Sequence, residues 1–258
     1  MFKKIRIIIL LYILFMVAVG GWLTRERTTD WDKPLTVAVY PINGDGSEAT
    51  TKYIKSLKNQ TFKPVEDFFI DEANRYGLSL DKPIDIDLAP ELSEVPPTPP
   101  YGQSTLNVML WSLKLRYWSW SRDNYKYPKQ IRVFVIYFDP EKHKRLAHSL
   151  GLQKGLIGVV NAFADDKMTE ENNIIIAHEI LHTVGASDKY DIRSNQPLYP
   201  VGYAEPDLDP LLPQSRAEIM AGRIPLEENR AEIPNELTET VIGNTTATEI
   251  RWLRQKIQ

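Results

Sequence analysis

His178-Glu179-Ile180-Leu181-His182-Thr183-Val184-Gly185-Ala186-Ser187-Asp188 places a metal site and a proton acceptor in eleven residues. Residues four apart share one face of a helix, so His178 and His182 can aim both imidazoles at one ion, with Glu179 beside them within reach of a water held there. Gly185 supplies the left-handed conformation that ends a helix, and the chain then turns back to offer Asp188 as a third ligand. An HExxH string arises by accident in roughly one chain in a hundred of this length, and the added glycine and aspartate cut that by a factor on the order of two hundred. The competing reading is an amphipathic helix with two satisfied histidines. Against it, the whole chain has four histidines and two of them fall here.

Composition sets the frame around this stretch. With 258 residues, 43% hydrophobic and 25% charged, the chain can bury a sizeable core. A net charge of -3 carries no electrostatic footprint for nucleic acid, so no nucleic-acid partner is expected. The absence of cysteine excludes disulfides, a thiolate zinc site and a cysteine nucleophile.

Residues 1–23 read as a membrane anchor or signal segment. Lys3, Lys4 and Arg6 precede a run without charge from Ile7 to Leu23, 17 residues, just enough to span a bilayer as a transmembrane helix. Basic residues before the run hold that end in the cytoplasm and send the rest across, so a periplasmic or extracellular domain is expected. Ala18 and Gly20 form a weak small-x-small pattern, which keeps a cleaved signal peptide and a secreted product as the alternative. A polar stalk, 24–34, leads into the domain proper, 35–258.

That domain opens with an α/β pattern. Leu35 to Ile42 reads as a strand between Pro34 and the Asn43-Gly44-Asp45-Gly46 turn. Val65, Phe68, Phe69, Ala73 and Tyr76 recur at helical spacing and stop at Gly77, and Ile84 to Leu88 forms a second strand. Ser104 can cap a helix over 104–121 that carries Leu106, Leu110, Leu113, Tyr117 and Trp120 on one face and Trp111, Leu115 and Trp118 on a neighbouring one, an aromatic stripe expected to pack on the sheet. Membrane-interface or ligand contact is the other reading of that stripe. Gln130 to Phe138 is the most strand-like run and belongs in the centre of the sheet, while the glycines and mixed polarity of Gly155 to Ala164 fit an edge strand. Thr169, Glu171 and Asn172 open the motif helix. Glu236 to Ile257 reads as helix, interrupted near Gly243.

The order strand, helix, strand, helix, strand, edge strand, zinc helix resembles the N-terminal subdomain of the metzincin metallopeptidases, and the motif is similar to theirs. Their third histidine is here Asp188, as in the snapalysin-like variant, and a carboxylate is an ordinary zinc ligand. Ala217-Glu218-Ile219-Met220-Ala221-Gly222 is similar to the methionine turn that lies beneath the metal in that clan, with Met220 as the methionine. The resemblance implies a twisted mixed sheet with an antiparallel edge strand. It also implies an upper subdomain, 35–185, and a lower one, 186–258, flanking the cleft, with a peptide or protein substrate laid antiparallel to the edge strand. Some metzincins place a transition-state tyrosine two residues after the methionine. Here that position is Gly222, which leaves Tyr190, Tyr199 and Tyr203 as candidates.

The expectation that follows is a zinc-dependent endopeptidase: His178, His182 and Asp188 hold one Zn2+, and Glu179 is the general base. Three alternatives stand beside parts of it. Glu205 is the third ligand of a thermolysin-like site; Glu205, Asp207 and Asp209 bind Ca2+; or the chain is a tethered binding or assembly protein whose metal is structural. The last leaves Glu179 without a task, because a purely structural site needs no base beside its ligands.

Overall fold

The computed structural model describes residues 6, 11, 12, 15, 28–100, 102–123, 125–127 and 129–253. The expected anchor, 7–23, therefore falls largely outside the described residues. Among the described residues no helix is long and apolar enough to cross a membrane.

The chain folds as an α/β domain on a mixed five-stranded sheet. β1 (Leu35–Asn43) leads through α1 (Glu48–Ser56) and α2 (Lys63–Arg75) to β2 (Ile84–Leu88), and α3 (Thr105–Arg122) leads to β3 (Ile131–Phe138). β4 (Leu150–Leu152), β5 (Ile157–Phe163) and α4 (Thr169–Thr183) complete this part. The strand order is β2-β1-β3-β5-β4; the first four are parallel, and β4 runs antiparallel to β5. Alternation along the strands builds two cores. Val37 and Val39 of β1 with Val133 and Val135 of β3 face α1, α2 and α4, while Ala38, Tyr40, Phe134 and Ile136 face α3.

β3 is central, as its run of β-branched and aromatic residues implies. The edge strand differs from expectation. Gly155 to Ala164 yields β5, which is paired on both sides, and the outermost strand on this side is the three-residue β4. Three residues are too few for a periodic signal, so β4 was invisible and its neighbour took its place. Nor was α1 anticipated: it starts where Ser47 Oγ accepts from Thr50 N at 3.1 Å and buries mainly Tyr53 and Ile54.

Two further expectations are corrected. The stripe Leu106, Leu110, Leu113, Tyr117 and Trp120 faces solvent, and α3 meets the sheet through the opposite face, with Leu115 buried and Trp111 and Trp118 packed beside it. This helix is apolar nearly all round, so periodicity could not decide which side the sheet would take. At the described end of the stalk, Thr28 and Thr29 are buried, and Trp31 packs edge-on to Trp252 at 5.3 Å and donates to Ile250 O at 2.7 Å. Finally, the C-terminal stretch is mostly not helical. Thr240–Val241 forms β9, parallel to β6 (Ala217–Glu218), and only Asn244–Glu249 is α-helix, here α5, because β-branched Thr240, Val241 and Ile242 suit a strand better than a helix. Residues 254–257 of that expected helix lie outside the described residues. A hairpin, β7 (Ile224–Glu227) and β8 (Arg230–Glu232), stands between.

Candidate metal centre

α4 buries Ile176, Ala177, Ile180 and Leu181 completely, which turns His178, Glu179 and His182 toward the edge of the sheet. One glycine lets β4 come this close to the helix. Gly151 of β4 lies directly opposite Gly158 of β5, and a Cβ on Gly151 would stand 2.4 Å from His182 Cβ and 2.6 Å from Glu179 O. Sequence reasoning missed Gly151, whose requirement comes from the helix above it and not from its neighbours in the chain.

The helix ends as its glycine implies. Gly185 adopts φ +111°, Ala186 N–H donates to Leu181 O at 3.0 Å, and the chain doubles back under the helix. Asp188 is then held from both sides. Lys189 N–H donates to Met220 O at 2.9 Å, and the buried Lys189 ammonium reaches Ser187 O at 2.6 Å and Glu249 at 2.8 Å. Glu249 in turn accepts from Ser187 N and Oγ at 2.9 and 2.7 Å. This clamp joins residues some sixty positions apart, so nothing local announces it.

His178 Nε2 and His182 Nε2 lie 3.3 and 3.1 Å from the same oxygen, Asp188 Oδ1. Their ligand atoms all fall within 4.8 Å of one another, the spacing one ion needs. The other nitrogen of each ring is committed: His178 Nδ1 donates to Ile219 O at 2.9 Å and His182 Nδ1 to Ala186 O at 2.8 Å. A carbonyl can only accept, so Nδ1 carries the proton and neutral Nε2 presents its lone pair. Three lone-pair atoms facing one point repel unless a cation lies between them. The chemistry of the donor set therefore fits a divalent ion with nitrogen and oxygen preference, and zinc is the ordinary occupant of such a set.

Without a metal, protons must do this work. Burial pulls the His178 imidazolium down, but its bond to Asp188 and the Glu179 charge outweigh burial and push it up to about 9. Burial raises the Asp188 carboxyl, yet the two imidazoles hold it well below the usual carboxylate range. Glu179 differs from its neighbours. It is 4% exposed, burial drives its pKa up, and Oε2 has no hydrogen-bond partner. A buried polar atom left unsatisfied is costly unless it has a task.

Met220 is fully buried in a turn that adjoins the site through its backbone carbonyls. Ala221 and Gly222 N–H donate to Glu218 O, and the carbonyls of Ile219 and Met220 meet His178 and Lys189. Glu218, missed by sequence reasoning, closes this turn from a buried position, accepting from Ala221 N, Gly243 N and Thr246 Oγ1.

The three tyrosines separate. Burial, then the charges of Asp188 and Glu179, raise the Tyr190 pKa, so its ring belongs to the site's electrostatic surroundings. Tyr199 is exposed and stacks edge-on against Tyr203 at 5.4 Å; Tyr203 lines a separate cleft of about 500 Å³ with Arg75, Glu205 and Asp207. Glu205 does not join the histidines: its carboxylate accepts from Ser215 Oγ at 3.0 Å and its N–H donates to Gln214 Oε1 at 2.8 Å. Among the described residues, His178, His182 and Asp188 form the one group of three His or carboxylate side chains close enough to share an ion; the carboxylates of Glu205, Asp207 and Asp209 are not gathered in this way.

No family model matches the chain, and no curated protein matches it. Among solved structures, the crystal structure of wild-type OgpA from Akkermansia muciniphila is similar with a TM-score of 0.35 and 10% sequence identity. The match covers 83% of this chain and 58% of that one, so the chain spans less than two thirds of that protein's length.

Proposed function

We propose that the chain is a zinc-dependent metalloendopeptidase of metzincin type, tethered to a membrane by residues 7–23 with its domain exported. The observation that carries the reading is Glu179 Oε2, buried and unpartnered beside three converging ligand atoms. A structural metal site gains nothing from such a carboxylate, whereas a hydrolytic site needs one.

His178, His182 and Asp188 would hold the zinc, which when bound supplies Lewis acidity toward water and toward a carbonyl oxygen. Glu179 Oε2 accepts a proton from the attacking water and returns it to the leaving amine nitrogen. Its burial favours both halves of that exchange, because a raised carboxyl pKa holds the proton long enough to deliver it. The Ile219 and Ala186 carbonyls fix both imidazole rings, so little reorganisation accompanies the step. An extended substrate would add to the sheet beside β4, the outermost strand on the side of α4, through main-chain hydrogen bonds. Tyr190 is the tyrosine best placed to face a developing oxyanion, since its ring shares the electrostatic surroundings of Glu179 and Asp188.

The test is hydrolysis of an unstructured protein by purified chain, with and without chelator, beside Glu179→Gln. The wild type should contain zinc and cleave, and the chelator should stop it. Glu179→Gln should keep its zinc and lose turnover by a factor on the order of 10³ or more, because an amide cannot take the proton. Undiminished cleavage by Glu179→Gln would remove the mechanism, and a zinc-loaded wild type inert toward every substrate would favour a structural metal.

A further inference from the structure

α3 presents an apolar face that the sheet does not use. Leu106, Met109, Leu110, Leu113, Tyr117 and Trp120 are between 56% and 69% exposed. At 3.6 residues per turn they fall within an arc of about 100° and run for roughly 20 Å along the helix. The opposite side, through Leu115, Trp111 and Trp118, holds the helix to the sheet. This exposure is a property of the folded domain and does not depend on what the metal site does.

Charge narrows the choice of what covers the face. Residues 105–122 contain Lys114, Arg116 and Arg122 and no acidic residue. Arg122 is paired with Glu94 at 2.6 Å, while Lys114 and Arg116 fall on the two flanks of the stripe, about 80° to either side of its centre by helical spacing. A second copy of the helix would bring these cations toward one another. A surface of anionic headgroups would meet both, with their aliphatic stems along the apolar boundary. Tyr117 and Trp120, whose rings lie 6.0 Å apart, are residues that favour the level of the headgroups.

The sheet relates one end of α3 to the start of the domain. α3 leaves the end of β2 and returns to the start of β3, and β3 is parallel to β1. Its Trp120 end therefore lies at the same end of the sheet as Leu35, the first residue of β1. We propose that the outer face of α3 lies in the interfacial region of an anionic lipid bilayer, so that the domain rests on the membrane and does not hang from its tether alone.

The absence of cysteine makes the test direct. Full-length chain carrying Leu106→Cys, Leu110→Cys, Leu113→Cys or, off the stripe, Asn107→Cys is labelled with an environment-sensitive fluorophore and reconstituted into phosphatidylcholine vesicles with or without phosphatidylglycerol. Lipids with a quencher at a shallow acyl position report depth, and Ile233→Cys, an exposed site in the β7–β8 region, is the reference. Labels on the stripe should be quenched about twofold or more beyond those at 107 and 233, more strongly with anionic lipid, and Lys114→Glu should remove that lipid dependence. These positions are exposed, so the variants should unfold at the wild-type temperature. Quenching equal at all positions, or none on the stripe, would overturn the proposal. So would lipid-independent cross-linking between copies through Leu113→Cys, which would give the face to a second chain.

Discussion

Replacing Gly151 by alanine tests how closely the edge strand and the metal helix are fitted. The added Cβ would meet His182 Cβ at 2.4 Å, Glu179 O at 2.6 Å and Glu179 Oε2 at 3.1 Å, where ordinary contact begins near 3.4 Å. The first two atoms belong to the helix frame and cannot swing away, so β4 and α4 must part by about 1 Å. Overpacking of this kind costs about 1–3 kcal/mol, and at roughly 2–4 °C per kcal/mol for a chain of this size that lowers the Tm by roughly 2–12 °C. Because the displaced groups are a proposed metal ligand and the proposed base, a shift of about 1 Å should also cut turnover by roughly 10²-fold. Gly158→Ala is the matched comparison, since Gly158 is the register partner of Gly151 and points the same way. Its Cβ would sit 3.5 Å from the Val133 methyls and 3.7 Å from Glu179 Cβ, ordinary contacts that predict a change within about 0.5 kcal/mol. Thermal unfolding and zinc titration of the two variants side by side decide the matter. If both lose equally, or if Gly151→Ala keeps wild-type stability and zinc affinity, the close approach of β4 to α4 is not what shapes the site.

Two further outcomes follow from the geometry. Asp188→Ala should lose most of the bound zinc while Glu205→Ala retains it, read by metal analysis of the purified proteins; the reverse would move the third ligand to Glu205 despite its bond to Ser215. The pH dependence of metal binding has a definite sign. In metal-free protein the His178 pKa is raised to about 9 from 6.5, so protonation of His178 stabilises the fold fully below pH 6.5 and that contribution fades as pH rises through about 9. Zinc must displace the same proton, so the Tm gained on adding zinc should widen between those two values. A gap constant with pH across that interval would show that His178 is already neutral in the metal-free protein.

Much of the site could be read without coordinates because it is local. His178, Glu179 and His182 are tied together by helical periodicity, and Gly185 brings Asp188 back within a few residues, so spacing already nominates the three candidate ligands. The same holds for β1, β2 and β3, where alternation of apolar residues is dictated by the pleat. What the sequence left open is non-local. Whether β5 or β4 is the outer strand depends on pairing that a three-residue strand cannot advertise. The exposed side of α3 depends on which of two apolar faces the sheet had room for.

The fitting of the site is also a tertiary matter. Lys189 and Glu249 hold the Asp188 loop across some sixty residues, and Ile219 and Ala186 select the tautomers of the two histidines. Glu205 stands apart from the two histidines because of the place to which Gln214 and Ser215 hold it. The sequence by itself determined which side chains could meet on one ion, since that follows from bond geometry within a helix and its terminating turn. Only the tertiary structure decided which strand borders them, which carbonyls orient them and which carboxylate is left buried without a partner, because those depend on contacts between segments whose separation along the chain carries no information about their separation in space.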